Sequence, residues 1–72
     1  MLFLTEDFYD SALIGTATKF DTVVAAYDIE LLTQVLMNQG MSELEALEYM
    51  DYNILRAYMG NNTPIYIRFV KY

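Results

Sequence analysis

Hydrophobic and polar positions follow two different periods along this chain. From Ser42 to Pro64 and from Ile29 to Asn38 apolar residues recur every three or four positions, the period of an amphipathic helix. Asp28 precedes the Ile29 run as an N-cap. Both runs therefore predict helices. The arc expected to be buried in the Ser42 helix comprises Leu44, Leu47, Met50, Ile54, Ala57 and Tyr58.

Five residues of the Ser42–Pro64 stretch are predicted to have structural roles. Ser42 and Glu45 form a capping box, in which each side chain accepts a hydrogen bond from the other residue's backbone amide. Gly60 supplies the left-handed residue that ends many helices, and Pro64 prevents the helix from resuming. Asn53 is a poor interior helix former, so its amide is expected to tie the helix to the backbone of a loop or of a sheet.

Three bounded runs rich in β-branched and aromatic residues predict strands, at Ser11–Phe20, Thr22–Tyr27 and Ile65–Tyr72. Gly15 inside the first run indicates a β-bulge or a close backbone approach, and the short Phe20-Asp21 junction favours a hairpin. In the third run alternation places Tyr66, Arg68, Val70 and Tyr72 on the face opposite Ile65.

The predicted order of elements is strand, strand, helix, helix, strand. The simplest arrangement is one α+β domain over residues 1–72, with an antiparallel three-stranded sheet, both helices on one face of it and the other face open. Residues 1–10 are either a fourth, edge strand or an arm that packs over the domain. The sequence thus predicts a small β-β-α-α-β fold.

The composition predicts self-association. The chain has 72 residues, of which 56% are hydrophobic, including seven Tyr and five Met. A domain of this size buries only about 60% of the surface that it exposes when unfolded, so its core is marginal by itself. Association of subunits is a common remedy, and we expect a homo-oligomer, most simply a dimer.

Several classes of function are disfavoured. The net charge of −6 opposes direct binding to nucleic acid, and the chain lacks the Cys and His that zinc sites and nucleophilic triads or dyads need. Glu48 and Asp51 are a carboxylate pair of a kind common on solvated helices. No apolar stretch reaches the roughly 18–20 residues that span a bilayer, and no signal peptide is evident. We expect no enzyme, cofactor, metal or membrane contact, and a cytoplasmic location by default.

One face of the Ser42 helix carries more apolar surface than solvation requires. Tyr49, Tyr52, Arg56 and Met59 follow one another at spacings of three and four, and Tyr, Met and Arg are enriched in protein interfaces. Either this is a contact face for a partner, or the arm Leu2–Tyr9 covers it within one subunit. A second candidate face comprises Tyr66, Arg68 and Tyr72 on the open side of the sheet.

The same stretch resembles the C-terminal signature of a family of small, uncharacterised proteins of tailed bacteriophages. The resemblance covers about a third of the chain, and Arg56 stands where that family has Gly. It implies a phage origin, a location in the cytoplasm of the infected bacterium, and no assigned activity. The matching residues are Gly40, Met41, Ser42, Glu45, Ala46, Tyr49, Tyr52, Asn53, Ile54, Ala57, Tyr58, Gly60, Thr63 and Pro64.

Two functions fit these features. The first is a non-enzymatic accessory protein, active in host takeover or anti-defence, that binds and modulates a host protein through its aromatic surface. The alternative is an oligomeric sponge that sequesters a nucleotide-like host immune signal between subunits. That pocket needs cations, and the chain has only Lys19, Arg56, Arg68 and Lys71, a set that two-fold symmetry doubles.

Overall fold

The structure is a computed structural model that describes residues 1–58 and 60–70, and it confirms the α+β class and the β-β-α-α-β order. A short 3₁₀ helix precedes the first strand, and a π-helical turn prolongs the second helix. The elements are the 3₁₀ helix Asp7–Ala12, β1 Leu13–Lys19, β2 Thr22–Asp28, α1 Ile29–Asn38, α2 Glu43–Met50, the π-helical turn Asp51–Leu55 and β3 Ile65–Ile67.

The sheet has the strand order β1-β2-β3, and it is mixed rather than antiparallel. β1 and β2 pair in the antiparallel sense, but β3 runs parallel to β2, with Ala26 opposite Ile65 and Asp28 opposite Ile67. Parallel neighbours require a crossover connection of about a dozen residues or more, and residues 29–64 form it. The expected all-antiparallel sheet is therefore wrong at this one pairing.

The hairpin between β1 and β2 has the two local features that its sequence predicts. The register shifts between Leu13 and Gly15, so that Ile14 is the extra residue of a β-bulge. Phe20 and Asp21 form the two-residue turn, and Phe20 has a φ of 57°. A left-handed backbone costs a non-glycine residue about 1–2 kcal/mol, so this turn is strained.

Both helices pack with the sheet around one core. Its largest fully buried side chains are those of Tyr27, Leu32, Leu36 and Met50. Residues 1–10 form no fourth strand: Tyr9 is buried in the core, and the Leu4 amide donates to the Tyr27 hydroxyl at 3.0 Å. The N-terminal segment is thus a packing arm.

The opposite face of the sheet is not open at its centre, contrary to expectation. Val24 and Ala26 point away from the side of Tyr27 because residues alternate along a strand, and both are buried. On this side Val24 shares a groove with Tyr58 and Pro64, both of which follow the second helix in the chain. The segment before β3 therefore borders the face that was expected to be open.

The start of each helix is capped as its sequence indicates. The Asp28 carboxylate accepts from the amides of Glu30 and Leu31 at 2.8 and 3.2 Å. The capping box at α2 is present, since Glu45 donates its amide to Ser42 Oγ at 3.2 Å and accepts from the Ser42 amide at 3.0 Å. Local hydrogen bonds therefore position both helices along the chain.

The end of the second helix lies earlier than predicted. Asn53 Nδ2 donates to the Tyr49 carbonyl at 3.1 Å, and this carbonyl is the α-helical partner of the Asn53 amide. The backbone here forms π-helical bonds instead, and the helix ends at Leu55. Asn53 is exposed and bonds within its own helix, so the expected tie to a loop or to the sheet is wrong. Gly60, with a φ of 88°, lies beyond the helix and belongs to a separate turn.

The buried side of this helix also differs from the predicted arc. Ala46, Met50 and Ile54 are buried, whereas Leu44 is 66% exposed and Leu47 is exposed as well. The buried residues form a single i, i+4, i+8 row, which is narrower than the predicted arc and leaves Leu44 and Leu47 outside it. The chain consequently presents more apolar surface on its helices than the sequence pattern indicated.

Candidate interaction face

The residues of the predicted contact face lie on three successive pieces of backbone. Tyr49 is in the last turn of α2, Tyr52 is in the π-helical turn, and Arg56 follows that turn directly. Tyr52 is 71% exposed, and the Arg56 guanidinium carbon lies 5.2 Å from the centroid of its ring. The structure therefore brings Tyr52 and Arg56 together at the surface. Met59 lies outside the described residues.

Arg56 is oriented by two neighbours at once. One guanidinium nitrogen donates to Asp51 Oδ2 at 2.9 Å, while the planar group lies over the Tyr52 ring. An exposed ion pair contributes about 0–1 kcal/mol and an exposed cation–π contact about 0.5–1 kcal/mol. These contacts add little to the stability of the fold, but they limit the rotamers of Arg56 before any partner binds.

The N-terminal arm reaches one edge of this face without covering it. Burial raises the pKa of Tyr9 to about 12, with smaller contributions from the adjacent Tyr49 side chain and from Glu6. Tyr9 therefore packs beside Tyr49, as an arm folded over the helix requires. Tyr52 and Arg56 nevertheless remain exposed. The arm hides neither of them.

A shallow groove of about 340 Å³ runs beside Tyr52. Two of its lining side chains, Glu45 and Glu48, are carboxylates, and hydrogen bonds with Ser42 lower the pKa of Glu45. The charged residues that line the groove are therefore both acidic. Its lining residues are Met41, Glu45, Glu48, Tyr49, Tyr52 and Asn53.

The second candidate face does not form. Tyr66 lies opposite Tyr27 in the parallel register, so its ring points into the core and stacks on Tyr27 at 6.2 Å with an interplanar angle of 29°. Its hydroxyl is buried and has no hydrogen-bond partner in the described part of the chain. Burial, and then the neighbouring Tyr27, raise the pKa of Tyr66. Arg68 is exposed in a groove that it shares with Glu30 and Glu43, and Tyr72 lies outside the described residues.

Sequence reasoning missed a larger groove at the tip of the β1–β2 hairpin. It measures about 690 Å³, and its rim carries Lys19, Phe20 and Tyr58. Phe20 is 93% exposed, which is unusual for a Phe. One feature of the sequence marked this site: the two-residue Phe20-Asp21 turn contains neither Gly nor Asn. Such turns require a positive φ and normally use those residues.

Asp and Glu are the metal-ligating side chains that this chain has, since it contains no Cys or His. Across residues 1–58 and 60–70 no group of three His, Cys, Asp or Glu side chains is placed to hold a metal ion. Of the carboxylate pair Glu48 and Asp51, Asp51 is engaged by Arg56. None of the helices in the same ranges has the length and apolar character needed to cross a bilayer.

Comparison with known proteins adds no evidence about the function of this chain. No family model matches the chain, and neither a curated protein nor a solved structure is similar to it. The likeness to tailed-phage proteins stays a prediction that depends on the residues alone.

Proposed function

We propose that this chain is a small, phage-encoded, non-enzymatic accessory protein that acts as a homo-oligomer in the cytoplasm of the infected bacterium. It binds and modulates a host protein through the interaction face, which we define as Tyr49, Tyr52 and Arg56. The observation that carries this proposal is the exposed Tyr52–Arg56 pair, which is oriented by Asp51 and left uncovered by the N-terminal arm.

The chemistry of the face indicates the kind of partner. Tyr and Arg are the residues most enriched among binding hot spots, because a stacked ring and guanidinium bury a large area at a modest cost in entropy. The adjoining acidic groove, with Glu45 and Glu48, favours a partner segment that carries Lys or Arg. Binding is therefore expected to weaken as salt is raised.

The test compares two exposed tyrosines. A photo-crosslinking amino acid is placed at Tyr52 or, as a matched control, at Tyr58, which is 76% exposed and lies outside the face. In host cells we expect a discrete crosslinked host protein from position 52 alone, and its loss when Arg56→Ala is added. Equal crosslinking from both positions, or none from position 52, would contradict the proposal.

A second candidate, the sequestration of a nucleotide-like signal, is favoured by the hairpin-tip groove. Its volume of about 690 Å³ falls in the range of about 300–1,000 Å³ that small-molecule sites occupy. Lys19, Phe20 and Tyr58 line it together with Asp21, so one cation and two rings are available to an anionic group attached to an aromatic ring. Chromatography of the supernatant after denaturing the purified protein tests this: a nucleotide that Lys19→Ala no longer retains supports it, and its absence contradicts it.

A further inference from the structure

The outer edge of the sheet at β1 is free to pair with another strand. β1 is the first strand in the order β1-β2-β3, and its ladder partner in the described structure is β2 alone. Exposed edges usually carry charges or proline that prevent pairing between molecules. From Leu13 to Thr18 this edge has neither, and its first charge is Lys19. The Ile14 bulge is the one protective feature of the strand.

We propose that a second copy of this chain pairs with β1 along this edge, in the antiparallel sense, about a two-fold axis at Ala17. The two sheets then join into one sheet of six strands, and an axis perpendicular to the sheet keeps the helices of both copies on the same side. This inference rests on the self-association that is part of the proposed function, and it specifies the interface.

The side chains of β1 complement themselves in this register. Thr16 of one copy stands opposite Thr18 of the other, and cross-strand Thr pairs are favourable. Lys19 stands opposite Gly15, which has no side chain to obstruct it. No two like charges face each other along Leu13–Lys19.

The same register gives the hairpin tip a partner. Phe20 stands opposite Ile14 of the second copy, and both side chains are exposed in the single chain. Aromatic residues and β-branched residues form favourable cross-strand pairs. This contact accounts for a Phe in a strained turn where Gly or Asn is usual.

Neighbouring registers lose these pairs. With the axis at Thr16, Phe20 falls opposite Ala12, which is fully buried and offers no surface, and Lys19 falls opposite the apolar Leu13. With the axis at Thr18, Ile14 no longer meets Phe20. The pattern of exposed residues therefore selects Ala17 as the central position, and the interface uses no residue of the interaction face.

Single cysteines test the register directly, because the chain has none of its own. Opposed residues of an antiparallel pair have Cα atoms about 4.5–5.5 Å apart, within the range that a disulfide bridges. We expect Ala17→Cys to form a covalent dimer under mild oxidation. Thr16→Cys and Thr18→Cys are the matched controls: each alone is expected to crosslink poorly, and a mixture of the two to crosslink well.

Charge exchange tests the same interface without covalent capture. The double variant Thr16→Lys/Thr18→Lys is expected to be a folded monomer by circular dichroism and light scattering, and so is Thr16→Glu/Thr18→Glu. Mixing the two variants is expected to restore the dimer, which a merely misfolded pair of variants would not do.

The following results would overturn the inference. A wild-type mass of about 8.4 kDa in solution refutes self-association and this interface together, while leaving host-protein crosslinking from Tyr52 as a separate question. A dimer that persists in both charged variants, or in which Ala17→Cys does not crosslink, refutes this interface alone.

Discussion

Tyr66→Phe is expected to increase the free energy of unfolding, although it removes a polar group. The Tyr66 hydroxyl is buried and has no hydrogen-bond partner in the described residues. A buried polar group left unpaired costs about 1–3 kcal/mol relative to water. Because the whole residue is only half-buried, we take the lower end and expect a gain of about 1 kcal/mol. For a domain of this size that corresponds to a rise in Tm of about 4–8 °C.

Tyr27→Phe is the matched control, because its ring stacks on Tyr66 and its hydroxyl is bonded. The Leu4 amide donates to that hydroxyl at 3.0 Å, so removing the oxygen leaves a partly buried donor without its partner. We expect a loss of about 1–2 kcal/mol. Both substitutions leave the two stacked rings in place. Changes in stability of opposite sign would therefore separate the effect of hydrogen bonding from that of ring packing.

Urea unfolding followed by far-ultraviolet circular dichroism at neutral pH measures both changes, provided that the m-value is unchanged. A Tyr66→Phe variant less stable than wild type by about 0.5 kcal/mol or more would refute the reasoning, since the hydroxyl would then have a favourable partner. A Tyr27→Phe variant as stable as wild type would show that the N-terminal arm does not depend on this bond.

Four further substitutions, one of them with a matched control, have expected outcomes. Folding raises the pKa of Tyr9 from 10.0 to about 12, so its contribution to stability is complete below pH 10 and is lost as the pH rises towards 12. In urea titrations from pH 8 to 11.5, the free energy of unfolding is expected to fall less steeply with pH for Tyr9→Phe than for wild type. Ser42→Ala removes the capping box and is expected to lower the free energy of unfolding in urea by about 1 kcal/mol. The control Ser11→Ala loses one exposed hydrogen bond of 3.4 Å and is expected to lower it by less than about 0.5 kcal/mol. Asn53→Ala is expected to change Tm by no more than about 2 °C, because the loss of an exposed hydrogen bond is offset by the better helix propensity of Ala. A destabilisation of more than about 1 kcal/mol would mean that the Asn53 amide makes a buried hydrogen bond. Phe20→Gly is expected to stabilise the single chain by up to about 1 kcal/mol through relief of the left-handed backbone, and yet to weaken dimerisation in light scattering; a dimer of unchanged affinity would contradict the proposed contact with Ile14.

Features that depend on neighbouring residues could be predicted from the sequence. The caps at Asp28 and Ser42 and the bulge at Gly15 each depend on a few adjacent residues whose chemistry permits one local geometry. The packing of Tyr66 could not be predicted, because it depends on the register of β3 against a strand far away in the chain. Alternation along β3 was predicted, but Tyr66 was assigned to the open side of the sheet, and it packs against the core instead.

The contact between Tyr52 and Arg56 was predicted from their spacing of four residues, although it lies beyond the regular α-helix. The point at which the helix ends was not predicted. Gly60 and Pro64 are compatible with a helix that ends at either place. The Asn53 side chain bonds to the Tyr49 carbonyl where the backbone becomes π-helical, and residue propensities do not show which donor a carbonyl will take.

The parallel pairing of β2 and β3 has a consequence for the local stability of the sheet. The β1–β2 hairpin closes through two residues, and such hairpins form in about 1–10 μs, whereas the pairing of β3 with β2 closes a loop of residues 27–64. β3 is a strand of three residues at an edge, with few ladder bonds to offset the entropy of that closure. That strand opens at a lower free energy than the hairpin, so in native-state hydrogen exchange the amides of Ile65–Ile67 lose protection before that of Val24.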